Sequence, residues 1–307
     1  MSKSSVVSPS PSLFGYAIQS ELPLRFLREG GGDESLQVSV GPANAERPRD
    51  GFIIEWPLRG GVEEVIATLY EVPGGFEYWT TDAGRFFVHL SERRIEVPPM
   101  DDAILREQRL NGIPMALAFT HRGDFALHAA AVEVDGGAIL LAAPSRFGKT
   151  TLAMAFHERG FPMLAEDLIC CRPGTHEALP GPAVIRLRPD VYPGVPPAGL
   201  IEIARRPDRV FLAPAPGSRG TAGPRPIRAI VFLREGEMVE VRPASPVEAL
   251  RDLWHLNFRL PTAEAREYSF KALSALAGGV PVWNLYRPFR LDALSATVEG
   301  IVACGRR

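Results

Sequence analysis

The sequence predicts an α/β protein in two parts: a smaller β-rich module over residues 13–100 and a larger unit over 101–307 that mixes strands and helices. Three observations predict it. Runs of β-branched and aromatic residues between glycine-rich turns fill the first part. A short, wholly apolar run, Ala138–Ala142, leads into a turn and then an amphipathic stretch from Lys149 to Arg159. Three further helical periodicities, around 245–258, 262–277 and 291–303, close the chain.

The bulk properties narrow the class. A chain of 307 residues, 46% hydrophobic and 23% charged, can bury a large core as an ordinary globular protein does. The formal net charge of -2 gives no electrostatic case for nucleic acid or an anionic membrane as partner. No apolar run approaches the roughly 20 residues of a membrane-spanning helix. Met1-Ser2-Lys3-Ser4-Ser5 lacks the apolar core of a signal peptide. Three cysteines, two of them adjacent at Cys170 and Cys171, suit neither a disulfide framework nor a metal site. A cytoplasmic setting is the expectation; a homo-oligomer is left open.

Taken in order, residues 1–12 carry no periodicity and are expected to form a disordered tail. Phe52–Trp56, Val65–Tyr70, Phe76–Thr80 and Phe86–Leu90 read as strands, separated by turns at Gly60-Gly61, Pro73-Gly74-Gly75 and Asp82-Ala83-Gly84. Between Asp101 and His121 the pattern becomes helical, divided near Gly112-Ile113-Pro114. Ala126–Val134 and Ala138–Ala142 form strands about an Asp135-Gly136-Gly137 turn. Gly160 stops the next helix, and Pro162–Cys171 reads as one buried strand interrupted by two acids, completing a right-handed crossover. Pro173–Pro226 holds twelve prolines and seven glycines, so only a short strand near Ala183–Leu187 is expected there. Strands at Ile227–Leu233 and Met238–Arg242 then precede the terminal helices.

The chemistry gathers around Ala143-Pro144-Ser145-Arg146-Phe147-Gly148-Lys149-Thr150-Thr151. In a strand–turn–helix setting, backbone N–H groups and the helix N-terminus can cradle phosphates. Lys149 can bridge the outer phosphates and the Thr150 hydroxyl can hold Mg2+, while Thr151 packs or caps. The Walker A pattern has glycine first, where this chain has Ala143, and Phe147 puts a ring beside the phosphates. Glu166-Asp167 places charge inside an apolar strand, where it is costly. Either the strand ends at solvent, or one acid supports Mg2+ while the other accepts a proton. Thr150 and Asp167 are the candidate metal ligands, with the division of labour between the acids left open because adjacent strand residues face opposite ways. His128, taken alone, is a structural strand histidine, as are His89, His157 and His255. Arg205, Arg206, Arg209, Arg219, Arg225 and Arg228 form either a solvated loop or a lid that meets phosphate and an acidic partner.

Together these residues resemble the HPr kinase/phosphorylase family, most closely its shortened relatives from lasso-peptide and similar peptide-modification systems. The resemblance is carried by Leu127–Val132, Ala143–Leu152 and Arg159–Asp167 in that order, with Phe14-Gly15-Tyr16, Ser20–Leu24 and Leu179–Leu187 as further matches. It implies a P-loop domain of HPr-kinase-like and PEP-carboxykinase-like fold behind the β-rich module. It also implies ATP and Mg2+ as cofactors at Lys149 and Thr150, an acceptor-handling acid pair at Glu166 and Asp167, and an active-site histidine at His128. The activity it implies is phosphoryl transfer to a serine or other hydroxyl of a peptide or small protein. A catalytically silent nucleotide-binding scaffold for a precursor peptide, and a small-molecule kinase, are the alternatives.

Overall fold

The computed structural model describes residues 10–43, 46–48, 50–57, 65–144, 147–192, 194–215 and 223–306. It is a mixed α/β structure with two large sheets and one small one.

The first sheet takes nine strands. They are β1 (Pro11–Leu13), β2 (Tyr16–Ser20), β3 (Arg28–Glu29), β4 (Glu34–Val40) and β5 (Phe52–Pro57), then β6 (Val65–Val72), β7 (Gly75–Thr80), β8 (Gly84–His89) and β9 (Arg94–Val97). Their spatial order is β3-β1-β2-β4-β9-β8-β7-β6-β5, a meander from β5 to β9 that continues through parallel pairings of β9 with β4 and β4 with β2. Strands β5 to β8 fall on the four expected from the sequence, while β9 is not among them. The tail expected over residues 1–12 falls on residues 1–9, outside the described residues, and on a stretch that is not disordered: Pro11–Leu13 is paired with β2 and β3, and Ser12 is buried. The turn expected at Gly60-Gly61 lies outside the described residues.

Helices α1 (Ala103–Leu110) and α2 (Ile113–His121) come next. Asp102 caps α1 by accepting from the Leu105 N–H, and the pair divides at Gly112, where Pro114 is tolerated in the first turn of α2. Met115, Leu117 and Phe119 of α2 join Leu69, Phe86, Val88 and Ile95 of the sheet in one core cluster. Two buried charges fasten the β-rich module to the larger unit. Glu107 of α1 accepts from the backbone N–H groups of Arg25 and Phe26. Arg28, its pKa lowered to about 10 by burial, donates to the carbonyls of Gly181, Met163 and Leu164.

The remaining strands are β10 (Phe125–Leu127), β11 (Ala129–Val134), β12 (Gly137–Ala142), β13 (Met163–Ala165), β14 (Ile169–Arg172) and β15 (Glu177–Leu179). Then come β16 (Ile185–Leu187), β17 (Leu200–Arg205), β18 (Val210–Pro214), β19 (Arg225–Glu235), β20 (Glu240–Pro243), β21 (Asn257–Phe258) and β22 (Val282–Arg287). The helices are α3 (Lys149–Glu158), α4 (Pro246–Leu256), α5 (Ala263–Gly279) and α6 (Leu294–Gly305). In the central sheet β12, β19 and β22 run parallel, so their carboxyl ends share one edge. Side chains alternate across it. Val132, Ile139, Leu141, Val231 and Leu285 meet Leu152 and Phe156 of α3 and Ile301 of α6. Ala131, Leu140, Ile230 and Phe232 meet Leu253 of α4 and Leu273 and Leu276 of α5 on the other face. A sheet covered on both faces explains the near-continuous apolar run of β12.

Three expectations are corrected here. The strand Ala126–Val134 is two strands, broken at His128, and Pro162–Cys171 is two strands, broken at Glu166–Leu168. The crossover from β12 through α3 does not return beside β12: β13 pairs with β11, which lies antiparallel between them. And the proline-rich stretch contains a small antiparallel sheet, β16-β18-β17, rather than a single strand.

Candidate active site

Strand β10 pairs with β14 up to Leu127↔Ile169, and β11 pairs with β13 from Ala131↔Ala165. Between these pairings the ladder opens, and His128, Glu166 and Asp167 all lie in the opening. Consecutive acids in an unbroken strand would send one carboxylate into each apolar layer. The break removes that conflict, and both acids line the same cleft as Gly148, Lys149, Thr150 and Thr151.

The loop leaves β12 at its carboxyl end, the usual ligand-binding edge of parallel strands. Ala143 is buried and keeps φ out of the left-handed region, so its Cβ is accommodated where the pattern has glycine; Pro144 is exposed. Ser145 and Arg146 lie outside the described residues. Gly148 has φ +75° and caps α3; a Cβ there would sit 2.6 Å from Nη2 of Arg287. Glycine is thus favoured by conformation, and a Cβ would also have to displace the Arg287 guanidinium. Gly148→Ala is expected to cost about 1–2 kcal/mol through the left-handed strain alone. Thermal unfolding should show that loss.

Lys149 opens α3, is 6% exposed, and donates to the carbonyls of Ala143 (2.8 Å) and Pro144 (3.2 Å). Its Nζ also lies 3.2 Å from Nε2 of His128. Burial pushes the lysine below its usual pKa, opposed by Asp167 and Glu166. Because an ammonium has no lone pair, His128 Nε2 must be the acceptor. The neutral ring then carries its proton on Nδ1, which faces Oδ1 of Asp167 at 3.4 Å. The Thr150 hydroxyl donates to Oε1 of Glu166 at 2.8 Å.

Both acids share one cation. Arg186 sits in β16 between buried Ile185 and Leu187, so alternation turns it the other way. Its Nε is 2.6 Å from Glu166 Oε2 and its Nη2 is 3.1 Å from Asp167 Oδ2. Burial disfavours the guanidinium charge, but the two carboxylates outweigh it and raise the arginine above its ordinary range. For Asp167, burial pushes the carboxyl up; Arg186, His128 and Lys149 outweigh that and hold it below the usual carboxylate range.

Opposite, the last residue of β22, Arg287, is buried and donates to the Phe147 carbonyl at 2.7 Å. Phe147 packs edge-on against Phe289, with ring centroids 5.4 Å apart, and Arg287 lies over the same Phe289 ring. That contact gives the ring a packing partner of its own. The whole forms a cleft of about 870 Å³, lined also by Thr151, Arg188, Arg206 and Arg209. Among the described residues neither Arg209 nor Arg287 has a carboxylate partner, whereas Arg206 pairs with Asp102 and Arg188 with Asp190. Of the expected arginine cluster, Arg206 and Arg209 line this cleft. Arg205 pairs with Glu202 and Arg225 with Glu133, and Arg219 lies outside the described residues.

No family model matches the chain, and no curated protein does. Among solved structures, the Hpr(Ser) kinase/phosphatase from Coxiella burnetii aligns with 59% of this chain and 90% of its own. The identity is 14% and the TM-score 0.32, a likeness too slight to bear on fold or chemistry.

The site thus brings together His128, Lys149, Thr150, Glu166 and Asp167 as expected, but with different partners. Thr150 contacts Glu166, while Asp167, expected beside Thr150 at the metal, contacts His128 and Arg186. Arg186 and Arg287 were not foreseen as site residues. An arginine alternating with two aliphatic residues is a usable signal for Arg186. Arg287 has no local signal; it reaches the loop only because β22 runs parallel to β12.

Proposed function

We propose that the protein transfers the γ-phosphoryl group of ATP, with Mg2+, to a serine or other hydroxyl of a peptide or small protein. The observation that carries this reading is the pairing of Thr150 with Glu166 and of His128 with Asp167 on either side of Lys149. Thr150 Oγ1 and Glu166 Oε1, two hard oxygens 2.8 Å apart, suit Mg2+. The bound ion would neutralise phosphate charge. Glycine at 148 and the amino end of α3 present backbone N–H groups to the phosphates. Lys149 exchanges the loop carbonyls for phosphate oxygens, and Arg287 holds the loop through the Phe147 carbonyl.

The acceptor oxygen forms a bond to the γ-phosphorus as the bond to the ADP oxygen breaks, and the hydroxyl proton passes to Asp167. With its pKa held low, Asp167 is a weak base that orients the hydroxyl and takes the proton late. His128 steadies that carboxylate through Nδ1.

One observation favours a second reading, the silent scaffold: Arg186 already neutralises both acids. Asp167→Asn separates the two. The kinase reading expects wild type to phosphorylate a serine-peptide mixture, and the variant to lose ~10²-fold or more in rate while binding Mg-ATP normally. If wild type binds Mg-ATP and transfers nothing, the scaffold reading stands.

A further inference from the structure

The phosphate-loop cleft is lined mainly by charged and polar side chains, and two apolar ones stand out in it. Among the described residues that line the cleft, the large apolar side chains left exposed are Phe289 (47%) and Leu291 (67%). Both belong to the segment that follows β22, at the carboxyl edge from which the phosphate loop also leaves. Single exposed apolar residues are ordinary on a protein surface. Two on one short segment, inside a polar cleft, call for a ligand with an apolar part.

Phe289 is also held in place. Pro288 fixes its own φ and restricts the backbone of Arg287 before it, so the segment leaves the strand with little freedom. The Arg287 guanidinium lies over the Phe289 ring, 5.1 Å from its centre, and the Phe147 ring meets it at 89°. Phe147 adjoins Gly148 in the chain, and with Leu294 it packs against the core cluster that includes Leu152 and Phe156 of α3. The ring of Phe289 thus stands one side chain away from the loop, fixed by two partners and still nearly half open.

We infer that Phe289, together with Leu291, is the platform on which the base of the bound nucleoside triphosphate stacks. A rigid aromatic side chain offers a base a flat apolar surface, and every base has a π-face to match it. The cleft, at about 870 Å³, falls within the ~300–1,000 Å³ of small-molecule sites, so it has room for a nucleoside as well as its phosphates. Residues 288–292 carry no carboxamide, and their one carboxylate, Asp292, is paired with Arg290. The segment therefore grips the face of a base and does not read its edge. Purines, with the larger π-surface, bind better than pyrimidines, and adenine and guanine are nearly equivalent. The inference rests on the phosphate loop holding a triphosphate.

Calorimetric titration of the full chain with Mg-ATP, Mg-GTP, Mg-CTP and magnesium tripolyphosphate separates base from phosphate. Wild type is expected to bind Mg-ATP and Mg-GTP within ~3-fold of one another, both tighter than Mg-CTP, and ~10-fold or more tighter than tripolyphosphate, the scale of one base–aromatic stack. Phe289→Ala should erase the advantage over tripolyphosphate and leave tripolyphosphate affinity unchanged; Phe289→Trp should keep it. Equal losses for Mg-ATP and tripolyphosphate in Phe289→Ala would make the ring a prop for the loop and overturn the platform. A wild type that binds tripolyphosphate as tightly as Mg-ATP, or that favours one purine over the other tenfold, overturns it too while the phosphate loop keeps its role. Binding of neither removes both. Phe289-dependent binding of Mg-ATP with no transfer to any hydroxyl keeps the platform and sinks the kinase reading.

Discussion

If the protein is the proposed kinase, replacing Lys149 with methionine is expected to lower phosphoryl transfer by ~10²–10³-fold, the scale of losing one preorganised donor to transition-state charge. Methionine keeps the apolar stem in its buried channel and removes only the ammonium. The carbonyls it leaves belong to Ala143 and to exposed Pro144, and burial already disfavours the lysine charge, so the fold should tolerate the change. Single-turnover transfer is expected to fall while the thermal midpoint stays within a few degrees. A variant that unfolds but, where folded, transfers at the wild-type rate would make Lys149 a structural residue only.

The largest combined effect is expected at Arg186. Arg186→Met leaves Glu166, 6% exposed, as an unpaired buried carboxylate. Removing one partner of a buried pair costs about 3–5 kcal/mol. Denaturant unfolding at neutral pH should show a loss of that order, reduced as far as water reaches the partly exposed guanidinium. The pH dependence has a definite sign. Asp167 is held below the usual carboxylate range, chiefly against burial, by Arg186. Its favourable ion pair is complete above its unfolded pKa of about 3.9 and is lost as pH falls through the lower folded value. Without Arg186 the folded pKa rises. The acid limb of kcat/KM therefore moves to higher pH in the variant; an unmoved limb would remove Asp167 from the proton path.

Much of the architecture was legible because local pattern decides it. Strands β5–β8, the break at Gly112, the apolar run of β12 and the helix from Lys149 arise from alternation, turn residues and helical periodicity. What was not legible depends on pairing. Nothing in Ala126–Val134 marks a break at His128, whose N–H instead donates to Leu256, far along the chain. Likewise the insertion of β11 between β12 and β13 is a choice among apolar strands of similar character. Arg186 and Arg287 arrive at the site through the same long-range pairing.

The site residues themselves were readable, and the structure changes their relationships. Charge inside an apolar strand signals a break or a function; at Glu166-Asp167 it is a break at which the carboxylates of both acids meet one arginine. Adjacent acids in a strand pattern leave their roles undivided; in the structure they differ in their partners, and the proposed chemistry builds on that difference. Glu166 goes with Thr150, and Asp167 goes with His128.

The central claim is that these residues make a phosphoryl-transfer site. Its most direct test is to incubate wild-type protein with Mg-ATP labelled at the γ-phosphorus and the serine-peptide mixture, then locate the label by mass spectrometry. Label is expected on a serine hydroxyl of a peptide, with ADP formed in equal amount. Unlabelled peptides alongside tight, saturable ATP binding would contradict it.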